Sequence, residues 1–122
     1  MSAFPCSKDV LPDTETIVSL PEAADILGVP VTSVHQLLRD YQLLAVRRNG
    51  VVGVPARFFN AEDEIVRMLP GVITVMRDGK YSNEDILEWL YTDDPSLPGR
   101  PVDALHTQLA REVVRRAHAE PF

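Results

Sequence analysis

The sequence predicts a mainly α chain that carries one small β-hairpin and ends in a helical module. Three observations carry this expectation. Apolar residues recur at helical spacing on both sides of Gly28-Val29-Pro30. An Asn49-Gly50 pair divides two apolar-rich runs, the strongest short-range hairpin signal. Capping residues stand ahead of the later apolar stretches. At 122 residues and 45% hydrophobic, the chain suits one compact domain or a small domain with an appended module.

Residues 1–18 hold two prolines, scattered polar residues and no sustained periodicity, and are expected to form a disordered tail. Thr14 and Thr16 lie there beside Asp13 and Glu15. In an accessible tail they are candidate phosphorylation sites for a Ser/Thr kinase, whose added charge would weaken any nearby binding to a polyanion.

Ser19-Leu20-Pro21-Glu22 reads as a capping box that opens a helix with Ala23, Ala24, Ile26 and Leu27, and Gly28 closes it. A second helix is expected from about Val31, with Val34, Leu37, Leu38 and Tyr41 on its buried stripe. Its other side presents Thr32, Ser33, His35, Gln36 and Arg39. Two short helices around a Gly-Val-Pro turn describe a helix-turn-helix. LLAVRR-NG-VVGVP adds a hairpin with Arg47 and Arg48 at its tip, and Pro55 marks an edge strand or the strand's end. Residues 19–60 are therefore expected to form a winged helix-turn-helix.

Residues 61–122 are expected to form a helical module packing on it. Asn60 can cap a helix opening with Ala61-Glu62-Asp63-Glu64, and Pro70-Gly71 would end it. VITVMRDG reads as a short helix closed by Gly79. Ser82 caps NEDILEWLYT, with Trp89 placed in the core. A last helix from about Pro101 is expected to bury Val102, Leu105, Leu109 and Val113 along one face.

The net charge of −6 argues against general affinity for polyanions, but the charge is uneven. Residues 21–60 hold four arginines against three carboxylates, whereas residues 61–100 hold nine carboxylates against four cations. An acidic half turned away from a small basic surface reconciles a negative chain with a nucleic-acid partner. Cys6, the single cysteine, excludes an intramolecular disulfide and suits a reducing compartment. With no spanning apolar run and no signal-peptide pattern, the expected location is cytoplasmic, without a membrane partner. His106 and Asp103 lack further ligands at metal spacing. No phosphate loop or nucleophile elbow occurs, so neither an enzyme nor a cofactor is expected.

PEAADILGVPVTSVHQLLRDYQLLAVRRNG resembles the helix-turn-helix of small actinobacterial winged-helix DNA-binding proteins related to the excisionase and MerR-like group. The likeness continues through LPG, DGKYSNEDILEWL, RPVDALH and AREVVRRA. It differs in placing Pro30, not a capping Ser or Thr, before the second helix. The resemblance implies a transcriptional regulator or nucleoid-associated factor that binds double-stranded DNA. It puts Thr32, Ser33, His35, Gln36 and Arg39 on the major-groove side, and Arg47 and Arg48 against phosphates. Gln36 could read adenine, and Arg39 guanine or a phosphate. EWLYTDDPSLPGRPVDAL also resembles the toxin-binding domain of Xre/MbcA/ParS-type antitoxins, through Trp89, Leu90, Leu97, Gly99 and Pro101. That likeness implies the alternative function, an interaction module that holds a protein partner or a second subunit through its last helices.

Overall fold

The structure is a computed structural model that describes residues 4–97 and 99–120. Two strands, β1 (Ser7–Lys8) and β2 (Ile17–Ser19), precede the helical pair α1 (Leu20–Leu27) and α2 (Val31–Arg39). The hairpin β3 (Val46–Arg48) and β4 (Val51–Pro55) follows, and then a 3-10 turn at Ala56–Phe58. The remaining helices are α3 (Leu69–Asp78), α4 (Asn83–Leu90), α5 (Pro101–Ala104) and α6 (Ala110–Ala119).

The winged helix-turn-helix forms for the local reasons expected. The Ser19 hydroxyl accepts from the Glu22 N–H while the Glu22 carboxylate accepts from the Ser19 N–H, which completes the capping box. Gly28 takes φ 68°, a left-handed conformation that closes α1 at little steric cost. Asn49 and Gly50 both have positive φ, 52° and 78°, the geometry that turns a tight hairpin with the right twist. β4 stops at Pro55 but lies inside the sheet, whose order is β1-β3-β4-β2.

The sheet corrects the expected tail. Over residues 4–18 the chain is built into the fold: β1 runs parallel to β3 and β2 antiparallel to β4. Ser7 and Leu11 are buried, and Val10, Ile17 and Val18 pack against the core. Pairing with the hairpin satisfies the backbone of this segment, and Leu11 supplies the apolar burial that a disordered chain lacks. Residues 1–3 of the expected tail, and 121–122 of the C-terminal module, lie outside the described residues.

Three further expectations change. Asn60 caps no helix; its side-chain oxygen accepts from the Glu62 and Glu64 N–H groups, each at 3.0 Å. Asp63 is left-handed at φ 61°, so residues 60–64 make a turn closed by the Phe59–Ile65 bridge. The short polar side chain has outcompeted the helix for these backbone donors. Pro70-Gly71 opens α3 instead of ending a helix, because a proline in the first turn gives up only an N–H that would be unpaired anyway. Finally, the last helix is broken. The Thr107 hydroxyl donates to the Ala104 carbonyl oxygen at 2.7 Å and accepts from the Leu109 N–H at 3.0 Å. Val102, Leu105 and Val113 are buried as expected, but Leu109 is 41% exposed.

One core unites the two halves. Val34 and Leu38 of α2, Val46 and Val54 of the hairpin, and Ile86, Leu87 and Leu90 of α4 are essentially solvent-free. Trp89, expected in the core, is half-buried at its margin. Ion pairs add polar ties. Arg100 Nη1 donates to the Glu15 carboxylate at 2.6 Å, and both Arg100 and Arg57 donate to Asp103. The N-terminal segment, the turn after the hairpin and α5 are thereby fixed to one another.

Candidate nucleic-acid interface

α2 buries one stripe and leaves the other side to solvent. Val34 and Leu38 point inward, while Thr32 and Gln36 are exposed and Arg39 is half-exposed. At roughly 100° per residue, positions 32, 36 and 39 share one face. Their side chains are organised there. Gln36 Nε2 donates to the Asp40 carboxylate at 2.9 Å, and its Oε1 accepts from Arg39 Nε and Nη2 at 3.2 and 2.9 Å. Arg39 Nη1 is buried without an acceptor among the described residues. Amide and guanidinium are thus presented together, the two group types that read base edges in a major groove.

The other two expected residues of α2 lie at the borders of this face. His35 is half-buried and stacked on Phe4, with ring centroids 4.9 Å apart and planes 22° apart. Ser33 is half-buried beside a shallow apolar groove between α1, α2 and the 60–65 turn, which Asp40, Asp63 and Glu64 also line. These carboxylates bound the face on one side and would repel phosphates there. The opposite side is bordered by the Phe4–His35 stack.

The hairpin separates its two arginines. Arg47 is exposed, and it lowers the pKa of the Cys6 thiol while burial, the larger influence, pushes it up. Arg48 is held internally. Its Nε and Nη2 donate to the Asp9 carboxylate, Nη1 to the Glu15 carbonyl oxygen at 2.6 Å, and Nη2 also to the Pro12 carbonyl oxygen at 3.1 Å. The Arg48 hydrogen bonds hold the Asp9 carboxyl below the usual carboxylate range. The structure therefore brings together Thr32, Gln36, Arg39 and His35 on one helix, leaves Arg47 exposed on β3, and engages Arg48 with Asp9, Pro12 and Glu15.

Phe4 and Asp9 were invisible as site residues in the sequence, because each acts through a partner distant in the chain. Thr14 and Thr16 are exposed, and the Thr16 carbonyl oxygen accepts from the Ala56 N–H at 2.9 Å, so they sit on an ordered strap. His106 Nε2 lies 2.7 Å from the Arg57 carbonyl oxygen, a structural bond. Among the described residues no group of three His, Cys, Asp or Glu could hold a metal ion, and no helix is long and apolar enough to cross a membrane.

Comparison with known proteins agrees with this architecture. Residues 3–59 match the family model described as DNA-binding protein Rv2175c, wHTH domain, and residues 66–120 match that of the Rv2175c C-terminal domain of unknown function. The DNA-binding protein Rv2175c of Mycobacterium tuberculosis (strain ATCC 25618 / H37Rv) is 45% identical over 134 aligned residues, which cover 100% of this chain and 92% of that protein. The NMR structure of Rv2175c superposes with a TM-score of 0.88 at 44% identity, covering 99% of this chain and 91% of that one. The excisionase- and MerR-like likeness and the toxin-binding likeness draw no support from these matches. Both halves of the chain and its whole length point one way: it belongs to the Rv2175c family, in which a winged helix-turn-helix domain is joined to a C-terminal domain.

Proposed function

We propose that this chain binds double-stranded DNA as a transcriptional regulator or nucleoid-associated factor, with α2 entering the major groove and the hairpin against the phosphates. The observation that carries this is the solvent-facing side of α2, where Thr32, Gln36 and Arg39 stand together, in a helix tied through the His35–Phe4 stack to the segment that pairs with the Arg47 strand. An Arg39 with one unpaired amino group gains an acceptor by moving onto a base edge or a phosphate. The relative's name, DNA-binding protein, points the same way. After selection of a preferred duplex from a random pool, Gln36→Ala and Arg39→Ala should weaken that duplex more than random DNA, by about 1–3 kcal/mol per good base contact. Equal loss on both DNAs would remove base readout from α2.

Two narrower roles belong with this reading. A Ser/Thr kinase acting on exposed Thr14 or Thr16 would add about −1.5 to −2 charge per site close to the wing and weaken DNA binding. Wild-type affinity in a folded Thr14→Glu/Thr16→Glu variant would dismiss that control. The C-terminal helices could also hold a protein partner or a second subunit. Supporting this is exposed Leu109, which borders a recess with Leu97 and Ala104. A Leu109→Asp variant that kept every association of the wild type would exclude this recess.

A further inference from the structure

We propose that the N-terminal segment 4–8 is a third DNA-contacting element, that Lys8 forms with Arg47 the phosphate-binding pair of the wing, and that Arg48 is withheld from DNA. The inference rests on the DNA-binding reading above and changes which residues carry it.

Arg48 is largely consumed by the protein. An arginine has five N–H groups. Four of those of Arg48 are bound, to Asp9, Pro12 and Glu15, and its side chain is only 20% exposed. Its charge faces the Asp9 carboxylate in a two-point pair, the geometry in which arginine binds most strongly. To reach a phosphate it would have to leave both Asp9 oxygens and two carbonyls for an acceptor of the same kind. The side chain is a staple that holds residues 9–15 to the hairpin.

Lys8 takes the place that Arg48 leaves empty. β1 is an edge strand, in register with β3 so that Ser7 pairs with Val46 and Lys8 with Arg47. Ser7 and Val46 are buried, so the next residue on each strand turns outward, and Lys8 and Arg47 are both exposed. Adjacent strands lie about 4.8 Å apart, which makes the two cations side-by-side neighbours on one face. Among the described residues neither forms an ion pair. The Glu84 carboxylate accepts from the Lys8 backbone N–H at 3.2 Å. Asp9 and Asp13 share a recess with Arg47; Arg48 occupies both Asp9 oxygens, and Asp13 is exposed to solvent. Two unneutralised like charges set side by side repel each other in the free protein, and a phosphate between them relieves that repulsion.

The position of the segment makes the phosphate one of DNA. Phe4 stacks on His35 of α2, and four residues later Lys8 stands beside Arg47 of β3. Residues 4–8 therefore run from the recognition helix to the wing, across the interval between the two elements assigned to the duplex. A backbone that touches both passes over Lys8.

The test is duplex binding by the full chain over a salt series, with thermal unfolding of each variant. Lys8→Gln and Arg47→Gln should each lower the slope of log affinity against log salt by about 0.9, while Lys8→Arg keeps it. Arg48→Met should leave the slope unchanged and lower the melting temperature. If Arg48→Met does not fold, Asp9→Asn removes the carboxylate that holds the Arg48 guanidinium and leaves its charge intact, and the slope should rise by about 0.9. A wild-type slope in Lys8→Gln overturns the Lys8 assignment. A slope lowered in folded Arg48→Met, or unchanged in Asp9→Asn, overturns the withholding of Arg48. If the wild type itself binds no duplex, the DNA-binding reading fails and this inference falls with it; a wild type that binds, with Lys8 silent, sinks the inference alone.

Discussion

Gly53 is where the incorporation of the N-terminal segment can be tested by one atom. It pairs with Ser19 across β2 and β4, and a Cβ placed on it would lie 2.5 Å from the Val18 carbonyl oxygen and 2.5 Å from Ile17 Cγ2. Carbon and carbonyl oxygen settle no closer than about 3.3 Å, so the β2 backbone must withdraw by about 0.8 Å in Gly53→Ala. A methyl facing only the end of a flexible side chain would be accommodated; a backbone oxygen held in a ladder is not. Overpacking of this kind costs about 1–3 kcal/mol. Unfolding entropy scales as about 2.1 cal/mol/K per residue, so for this chain each kcal/mol moves the melting temperature by about 4 °C. Gly53→Ala should therefore melt about 4–12 °C lower in a calorimetric or circular-dichroism scan. Gly71 is the control: it lies in the first turn of α3 with open space where a Cβ would go, so Gly71→Ala should raise stability by about 0.5–1 kcal/mol. If residues 17–19 were not paired with β4, Gly53→Ala would also stabilise, by restricting the unfolded chain. A Gly53→Ala protein as stable as wild type, or more so, would refute the pairing.

Other substitutions test the core and its polar margin. Leu87 is fully buried and Leu109 is 41% exposed, so in urea denaturation Leu87→Ala should lose about 2–5 kcal/mol and Leu109→Ala no more than about 0.5. Among the described residues the buried Tyr91 hydroxyl has no hydrogen-bond partner, and burial pushes its pKa up; Tyr91→Phe should raise stability by about 1 kcal/mol, read as a higher denaturation midpoint. The Asp9 carboxyl titrates below its ordinary value of 3.8 in the folded protein because Arg48 hydrogen-bonds it. The Asp9–Arg48 contribution is therefore complete above the unfolded value, near pH 4, and is lost as pH falls below it. In acid titrations Asp9→Asn should be less stable than wild type at neutral pH and fall less steeply below about pH 4; parallel profiles would contradict the pairing.

What could be read from the sequence was what short-range chemistry decides. The Ser19 box, the Ser82 cap, the left-handed Gly28 and the Asn49-Gly50 turn each depend on residues within four positions, and each appears where expected. The uncovered side of α2 followed from periodicity alone. The N-terminal strands could not be read in this way, since they are two and three residues long and their register comes from a hairpin about forty residues on. The internal pairing of Arg48 was hidden for the same reason. A sequence shows its charge but not Asp9, 39 positions away, which neutralises it. Asn60 and Thr107 misled in another way: each carries a side chain able to hydrogen-bond nearby backbone, and each used it to turn the chain where periodicity pointed to a helix.

The central claim is that duplex DNA meets the face made by α2 and the hairpin, and amide chemical-shift mapping addresses it directly. A uniformly 15N-labelled full chain titrated with a short duplex at low salt should show saturable shifts concentrated in residues 32–39 and 46–50. Residues 111–119 of α6 should stay close to their free positions. Shifts gathered on α5 and α6, or no saturable shifts at any ratio of duplex to protein, would contradict the account.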